Sequence, residues 1–295
     1  MKYATSVTDF QVTGILWISM YSILGLATAS RIYLHIRHNS GTARVLFHVV
    51  LLKVIVFSMP KSAAYIWMPT TESWILTYVT SLYAMLLLNL ALSYVCVEWA
   101  GVAATGQNIG MGPQASSPCS LRNVVIVVNV SVFAWAVATC ISIVSYPDTS
   151  VGGDAFRDSP LRSGLVVVGC TMYLATTILL IVQGLKIRTR LLQSQRFVSE
   201  QDFHRSMVKL VLSVGVITGT TWIRLLFKVL AAFGVSGFAD MPLLPFEVWS
   251  ELVPTVFPVL CLLYLQRRLP LEATSPDTGC ATTTLPHTTT STLSV

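Results

Sequence analysis

Charged residues are scarce in this 295-residue chain. Only 11% of its residues are Asp, Glu, Lys or Arg, whereas 54% are hydrophobic, and an ordinary soluble domain carries about a quarter charged residues. The composition therefore excludes a soluble globular protein and indicates one that crosses a membrane several times. Apolar stretches and short connections account for nearly all residues between Phe10 and Gln266. This leaves no room for a separate soluble catalytic domain.

The usual signatures of catalysis are also missing. The sequence has no Gly-x-Ser-x-Gly turn, no phosphate-binding loop and no glycine-rich dinucleotide turn. No histidine inside an apolar stretch pairs with a carboxylate at helical spacing, as a metal site would require. His35 and His38 could touch a metal, but contact with lipid head groups is the simpler interpretation. We expect a protein that is not an enzyme and holds no metal or other cofactor.

Neither a cleavable signal peptide nor a disulfide is predicted. Met1 to Asp9 contains a single Lys, and the apolar run that follows is too long for a signal-peptide core. The cysteines lie inside apolar stretches (Cys96, Cys140, Cys170, Cys261) or on the predicted cytosolic side (Cys119, Cys280). No pair is therefore expected in an oxidising compartment.

Seven apolar stretches are present, and they differ in the charge they carry. Four contain no charge, at 10–30, 74–97, 123–147 and 163–185. The other three are interrupted by Lys53, by Arg224 and Lys228, and by Glu251. Each stretch is long enough to cross about 30 Å of hydrocarbon at about 1.5 Å per residue.

The sequence therefore predicts an all-α membrane protein, a seven-transmembrane helix bundle between residues 10 and 268. A short segment, 1–9, precedes the bundle, and a disordered Thr-rich tail, 269–295, follows it. The predicted helices lie at about 10–30, 45–68, 74–98, 123–146, 163–186, 207–234 and 246–266.

The distribution of Lys and Arg predicts the orientation of this bundle. One side carries most of them: Arg31, Arg37, Arg44, Arg122, Lys186, Arg188, Arg190, Arg196, Arg205, Lys209, Arg267 and Arg268. The other side carries Lys2, Lys61, Arg157 and Arg162. Because basic residues are enriched on the cytosolic side of membranes, we expect the N-terminus outside or in a lumen and the C-terminus in the cytosol. Basic residues placed beside helix ends indicate contact with lipid rather than nucleic acid.

The charges in the last two stretches are predicted to meet. An unpaired charge near the bilayer centre costs about 2.5 to 3.5 kcal/mol on insertion scales. Arg224 and Lys228 are four residues apart on the sixth helix, and Glu247 and Glu251 are four apart on the seventh at the same depth. We expect Arg224 to pair with Glu251 and Lys228 with Glu247. The pairs would form either a structural brace or a ligand or ion site.

Lys53 has no obvious counter-charge at its own depth. Asn89 and Ser93 of the third helix lie at a comparable level, and Glu98 lies closer to the cytosol. Lys53 is expected to bond Asn89 or to extend toward Glu98. The alternative is a substrate or proton path through Lys53 and Glu98. The candidate polar residues within the membrane are His48, Lys53, Asn89, Glu98, Arg224, Lys228, Glu247 and Glu251.

Prolines interrupt two of the predicted helices. Pro60 lies in the second, and Pro254 and Pro258 lie in the seventh. Proline removes a backbone donor and clashes with the preceding turn, so kinks are predicted at these positions. Such kinks can open a cavity or shape the packing.

The connection between the fifth and sixth helices, residues 186–209, mixes apolar and basic residues. This pattern predicts that both helices extend beyond the bilayer, into the zone of anionic head groups. Its candidate partner-binding residues are Lys186, Arg188, Arg190, Arg196 and Arg205. The alternative is that these residues anchor the helix ends to lipid phosphates. The connection between the third and fourth helices, Gly101 to Ser120, is expected to be flexible and to contribute further contacts with cytosolic proteins.

Seven helices with the N-terminus outside suggest a G-protein-coupled receptor, but the marks of the rhodopsin-like class are absent. The third helix ends in Val97-Glu98-Trp99-Ala100 rather than an acidic-Arg-aromatic triplet, and the seventh lacks Asn-Pro-x-x-Tyr. The sixth helix has Thr220-Thr221-Trp222-Ile223-Arg224 without the usual Pro. A conventional receptor is therefore not favoured.

Several features resemble the tobamovirus multiplication protein family, seven-helix proteins of plants with lysosomal, orphan-receptor-like relatives in animals. They are Phe47-His48 followed by Lys53 where the family usually has Arg, Trp74 and Glu98 at the ends of the third helix, Gly184 before a basic run, Arg224, Glu251-Leu252-Val253-Pro254, and the terminal Arg267-Arg268-Leu269-Pro270. The resemblance covers about residues 44–270, and its specificity comes from the order of these parts.

The resemblance implies a location in an endomembrane, such as that of a vacuole or lysosome, or in the plasma membrane. It also implies a non-enzymatic scaffold or receptor-like protein that recruits cytosolic proteins, which in plants include viral replication proteins. The alternative function is a receptor like those coupled to G proteins, or a small-molecule carrier. That alternative would use a cavity among Lys53, Glu98, Arg224 and Glu251.

Overall fold

The computed structural model describes residues 7–67, 74–105, 118–145, 159–195, 199–238 and 241–266. Within these ranges the chain forms seven long helices and no strand. They are α1 (Val7–Arg37), α2 (Thr42–Trp67), α3 (Trp74–Thr105), α4 (Pro118–Ser145), α5 (Pro160–Ser194), α6 (Glu200–Ala232) and α7 (Leu243–Leu265). All seven are long and apolar enough to span a membrane, which confirms the predicted all-α seven-helix bundle.

Local signals in the sequence explain where some of these helices begin. Pro160 occupies the first turn of α5, where a missing N–H costs nothing. The hydroxyl of Ser199 caps α6 by accepting a hydrogen bond from the N–H of Asp202 at 3.2 Å. Between α1 and α2 the chain turns through Gly41, whose φ of +91° is a conformation that residues with a side chain rarely adopt.

Each helix packs against the next one along the chain, and α7 packs back against α1. Helix α3 also packs against α5, so α5 contacts both α3 and α4. Leu51 and Ile55 of α2 are fully buried in the resulting core, together with Val259 and Leu262 of α7. A side chain at Gly14 would place its Cβ 2.7 Å from the Ser62 carbonyl oxygen. Glycine therefore permits the close approach of α1 and α2.

The helices differ in how much of their surface lies inside the bundle. Of the most apolar part of α7, 56% is buried, against 22% for the corresponding part of α4. Helix α7, which carries Glu247 and Glu251, thus lies largely inside the bundle, whereas α4, whose one charged residue is Arg122 near its inner end, presents most of its surface outward. This is the distribution expected in a membrane, because protein can supply partners for charges and hydrocarbon cannot.

We call the end of the bundle at which α1 begins the outer end, following the orientation that the sequence predicts, and the opposite end the inner end. Helices α5 and α6 contain 35 and 33 residues, which corresponds to about 50 Å each at about 1.5 Å per residue. They exceed a hydrocarbon layer of about 30 Å. The predicted extension of both helices into their inner connection is therefore confirmed.

The connection between α3 and α4 is shorter than the predicted flexible segment, Gly101 to Ser120. Helix α3 continues to Thr105 and α4 begins at Pro118, so both ends of that segment are helical. Residues 106–117, the tail 269–295 and Arg196 lie outside the described residues.

Candidate functional site

Five charged residues of the outer half and one tyrosine form a cluster between α1, α2, α6 and α7, which we call the outer cluster. Its members are Lys61, Tyr65, Arg224, Lys228, Glu247 and Glu251. The first ion pair joins α2 to α7, because the ammonium of Lys61 donates to Oε2 of Glu247 at 2.7 Å. Both side chains are nearly enclosed, with 12% and 9% of their surfaces exposed. This pair is shielded from the membrane by protein.

Aromatic residues complete the surroundings of this pair. The hydroxyl of Tyr65 donates to the other carboxylate oxygen of Glu247, Oε1, at 3.2 Å. The ammonium of Lys61 also lies 4.9 Å from the centre of the Trp17 ring and 5.6 Å from that of Tyr65, within the range of cation–π attraction. Lys61 is therefore stabilised by a carboxylate and two ring faces.

The second ion pair joins α6 to α7. The ammonium of Lys228 donates a hydrogen bond to Oε1 of Glu251. Lys228 keeps 29% of its side chain exposed, against 10% for Glu251. The carboxylate therefore lies inside the bundle, and its cation reaches it from the edge.

Arg224 contacts the backbone of α7 rather than a carboxylate. Its Nε donates to the carbonyl oxygen of Ser250 at 3.3 Å, and its Nη2 donates to the carbonyl oxygen of Glu251 at 3.3 Å and to the hydroxyl of Thr255 at 2.6 Å. The Ser250 carbonyl is available because Pro254, four residues later, has no N–H to donate to it. Arg224 thus supplies the donor that the proline removes.

A single π-helical turn, Val248–Leu252, interrupts α7 just before this proline. Its hydrogen bonds join residues five apart, as from the Val253 N–H to the Val248 carbonyl oxygen. The wider turn changes the register between Glu247 and Glu251, which a regular helix would present as neighbours on one face. In the structure, Glu247 faces α2 and Glu251 faces α6.

A small cavity lies beside Arg224 and Glu251. Residues of five helices line it: Trp17, Tyr21, Ser58, Ser81, Ala84, Met85, Leu88, Arg224, Glu251 and Thr255. The space open to the centre of a water molecule is about 10 Å³, which is close to the minimum that holds one water. The cavity is too small for an organic substrate.

The predicted contact between the sixth and seventh helices is thus confirmed at the level of the helices, but its partners were wrong. Lys228 pairs with Glu251 instead of Glu247, and Arg224 binds backbone carbonyls instead of the Glu251 carboxylate. Glu247 pairs with Lys61 instead. Lys61 was counted in the sequence only among the basic residues of the outer side. The π turn explains the change of register, because the prediction assumed a regular helix.

Sequence reasoning missed Lys61, Tyr65 and Thr255. A signal for Lys61 was available, since it lies about 28 Å from the start of α2 at about 1.5 Å per residue. That distance places it at the depth of Glu247. Pro254 similarly signalled a free carbonyl at Ser250, which Arg224 was placed to bind.

The expected contacts of Lys53 are wrong. Lys53 is exposed on the outside of α2, whereas Asn89 is buried and its amide donates to the side-chain oxygen of Asn129 of α4 at 3.3 Å. The carboxylate of Glu98 accepts a hydrogen bond from the side chain of Gln266 at 2.7 Å. These contacts give Asn89 and Glu98 partners on α4 and at the end of α7. A path through Lys53 and Glu98 has no support in this geometry.

His48 lies at the inner end, far from the outer cluster. It is fully buried, as is His35 of α1, and the centres of the two rings are 4.6 Å apart. The Nδ1 atom of His48 is bonded to the carbonyl oxygen of Arg44 at 2.8 Å. The backbone of Gln266 lies near the His35 ring, but no hydrogen bond of good geometry joins either nitrogen of His35, or Nε2 of His48, to a described residue.

The basic residues of the α5–α6 connection form an exposed surface. Lys186, Arg188 and Arg205 are exposed, and Arg190 is partly so. Ile187 between them is 2% exposed and packs in the core. We call Lys186, Arg188, Arg190 and Arg205 the inner basic surface.

In chemical terms the outer cluster pairs opposite charges between α2, α6 and α7. Among the described residues, no three side chains of His, Cys, Asp or Glu are close enough together to hold a metal ion. Both carboxylates of the outer cluster are already bonded to lysines. The described geometry therefore offers a brace between helices more readily than a reaction centre.

Comparison with known proteins gives no match: no protein-family model fits the chain, and no curated protein is similar enough to count as a relative. The fold defines a multi-pass, seven-helix integral membrane protein. Membership of the tobamovirus multiplication protein family stays a prediction.

Proposed function

We propose that this chain is a non-enzymatic membrane scaffold or receptor-like protein that recruits cytosolic proteins through the inner basic surface. The observation that carries the proposal is that α5 continues as far as Ser194 and α6 begins at Glu200, so helix makes up most of the inner connection between them. Elements that are anchored in the membrane and project from it can hold a binding surface in a defined place, whereas a flexible loop cannot.

The side chains on these elements are suited to an acidic partner. Lys186 and Arg188 are exposed on either side of the buried Ile187, and Lys186 shares its helix face with Arg190, four residues later. Arg205 of α6 adds a third exposed cation to the same connection. Clustered cations also speed association with a negatively charged partner, by steering its approach.

The outer cluster supports this proposal by accounting for the buried charges without a transported substrate. Lys61 and Lys228 each bind a carboxylate of α7, so the three helices α2, α6 and α7 are tied together at the outer end. A small-molecule carrier is the rival function, and the small cavity does not favour it. A transport or ligand response that is lost in Glu251→Gln, with cytosolic partners unchanged, would support the rival.

The resemblance to the tobamovirus multiplication protein family supports an endomembrane location. A vacuolar or lysosomal membrane is the favoured site, and the plasma membrane is the alternative. Imaging of the full chain with a fluorescent tag in living cells tests this part of the proposal. Accumulation at the cell surface alone would contradict the endomembrane assignment.

Proximity labelling tests the function itself. A biotin ligase fused to the C-terminus should label a reproducible set of cytosolic proteins, and that set should shrink in the double variant Arg188→Ala/Arg205→Ala. The matched control is Arg37→Ala/Arg122→Ala, which removes two exposed cations from the inner ends of α1 and α4. The proposal predicts that the control keeps the labelled set.

Two results would contradict the proposal. If both double variants lose the same labelled proteins, general attraction to basic charge or to anionic lipid accounts for the labelling. If neither variant loses any, the inner basic surface is not the partner site. Equal amounts of each variant in the membrane fraction are required for the comparison.

A further inference from the structure

The outer cluster contains more positive than negative charge. Three cations belong to it, Lys61, Arg224 and Lys228, but only two carboxylates, Glu247 and Glu251. Asp9 is the other acidic residue described in the outer half, and it is exposed on the first turn of α1. Each lysine has its own carboxylate, so the unbalanced charge belongs to Arg224. An unbalanced buried cation is costly in a membrane.

Arg224 also has donors left over. Its side chain is 4% exposed, and a guanidinium carries five N–H groups. Nε and Nη2 use three of them on Ser250, Glu251 and Thr255. The two N–H groups of Nη1 have no acceptor within the described ranges of the chain. A buried cation with two free donors therefore lies beside the small cavity.

The remaining walls of the cavity suit an acceptor of negative charge. The hydroxyl of Thr255 accepts a hydrogen bond from Arg224, and Thr255 lines the cavity. Tyr21 lines the cavity, is 2% exposed and adds a second hydroxyl, which lies within hydrogen-bonding reach of Ser58. Met85 of α3 also contributes, and a methionine side chain adapts readily to a ligand slightly larger than water. Glu251 lies in the wall, but its Oε1 is bonded to Lys228.

We propose that this cavity binds a single small inorganic anion of the halide class, chloride in a cell, held by Nη1 of Arg224 and the hydroxyls of Tyr21 and Thr255. A monatomic anion fits the argument from size, because the space holds about one water. Phosphate, sulfate and carboxylate ligands are too large. Chloride balances the charge of the outer cluster and strengthens the contact between α1, α6 and α7.

Chloride-dependent thermal stability tests this proposal. The full chain, purified into lipid nanodiscs, is heated in sodium chloride or in sodium gluconate of equal ionic strength, and unfolding is followed by tryptophan fluorescence. A ligand at ten times its Kd raises Tm by about 3 °C for a protein of this size. We expect Tm to rise saturably with chloride and with bromide, and not with gluconate.

Conservative variants locate the effect. Tyr21→Phe removes one proposed donor and should raise the half-saturating chloride concentration about tenfold, as loss of a hydrogen bond to a charged group does. The matched control is Tyr94→Phe at the inner end, which should respond to chloride as the wild type does. Arg224→Gln should abolish the response, and Tyr21→Phe keeps the test valid if that variant does not fold.

Two outcomes overturn the proposal. Equal Tm values in chloride and gluconate mean that the cavity holds water. A chloride effect that is the same in Tyr21→Phe, Tyr94→Phe and the wild type means that chloride acts elsewhere. Crystals soaked in bromide give a direct answer, because anomalous density should appear beside Nη1 of Arg224. Neither outcome bears on the recruitment of cytosolic proteins, which is measured by proximity labelling with variants of the inner basic surface.

Discussion

The two ends of the bundle hold their buried polar groups in different ways. At the outer end, Lys61 and Lys228 each bond a carboxylate of α7. At the inner end, His35 and His48 are fully buried with their rings in contact, yet three of their four nitrogens have no hydrogen-bond partner of good geometry among the described residues. Charge thus joins α2 and α6 to α7 at the outer end, whereas ring packing joins α1 to α2 at the inner end.

Aromatic side chains surround the two buried histidines at the inner end. Phe47 lies edge-on to His48, with 5.7 Å between the ring centres, and 5.3 Å from the ring of Tyr94 on α3. Such ring contacts do not depend on charge, whereas each lysine of the outer cluster depends on one carboxylate. The comparison teaches that burial alone does not tell how much a polar side chain contributes. What decides the contribution is the number of buried groups that would lose their hydrogen-bond or ion-pair partner if the side chain were removed.

The largest loss of stability should follow from breaking the Lys61–Glu247 pair. Glu247→Gln leaves a nearly enclosed ammonium without its counter-charge, and we expect a loss of about 3 kcal/mol. Adding Lys61→Met should restore part of it, because the double variant buries no unpaired charge. Thermal unfolding in nanodiscs measures both. Single losses that simply add in the double variant would contradict the ion pair.

Tyr65→Phe is the control for that experiment. It removes one neutral donor to Glu247 and leaves the ion pair in place, so we expect a loss of about 1 kcal/mol. A loss as large as that of Glu247→Gln would mean that the hydrogen bond from the Tyr65 hydroxyl, and not the ion pair, holds α2 to α7.

The sequence predicted the depth of the outer-cluster charges in the membrane better than it predicted which residues pair with each other. Seven helices follow from the length of the apolar stretches, and the depth of Arg224, Lys228, Glu247 and Glu251 follows from counting residues along them. Partners depend on helix rotation, which the π turn at Val248–Leu252 changes. The sequence indicates an irregularity there, through Pro254, but not its kind.

The inner end was harder to predict for a different reason. His35 and His48 are on different helices, and nothing in their sequence neighbourhood specifies that their rings meet. Lys53 was assigned an inward direction because it is charged, but it is exposed on the face of α2 that points away from the core. Residue type alone could not reveal that direction, since a long side chain can extend toward water from an outward face.

Removing Arg224 should cost less than breaking the Lys61–Glu247 pair. Arg224→Met leaves two carbonyl oxygens and the Thr255 hydroxyl without a donor but also removes the unbalanced charge, so we expect a loss of about 2 kcal/mol. Arg122→Met, at an exposed position on α4, is the control and should change stability by less than about 0.5 kcal/mol.

Pro254→Ala sharpens the same prediction. Alanine restores an N–H near the freed carbonyl of Ser250, so the loss caused by Arg224→Met should be about 1 kcal/mol smaller in this background. Thermal unfolding of the four proteins gives the coupling. Purely additive losses would show that Arg224 does not replace the missing proline donor.

The inner end should tolerate loss of a polar group that the outer end does not. His35→Leu removes two nitrogens that make no good hydrogen bond, so we expect stability to stay the same or to rise by up to about 1 kcal/mol. His48→Leu also removes the contact with the Arg44 carbonyl and should cost about 1 kcal/mol. A large loss in His35→Leu would show that a bound water or ion completes that site.

The smallest effect should come from Lys53→Met. The residue is exposed on the outside of α2, so the change should alter stability by less than about 0.5 kcal/mol. Lys61→Met makes the same substitution two turns away on the same helix, where the lysine is paired, and should cost about 3 kcal/mol. Measuring both by thermal unfolding keeps the helix and the substitution constant and varies the burial and the partner of the lysine. Equal effects would mean that the charge of α2, and not its pairing with α7, determines stability.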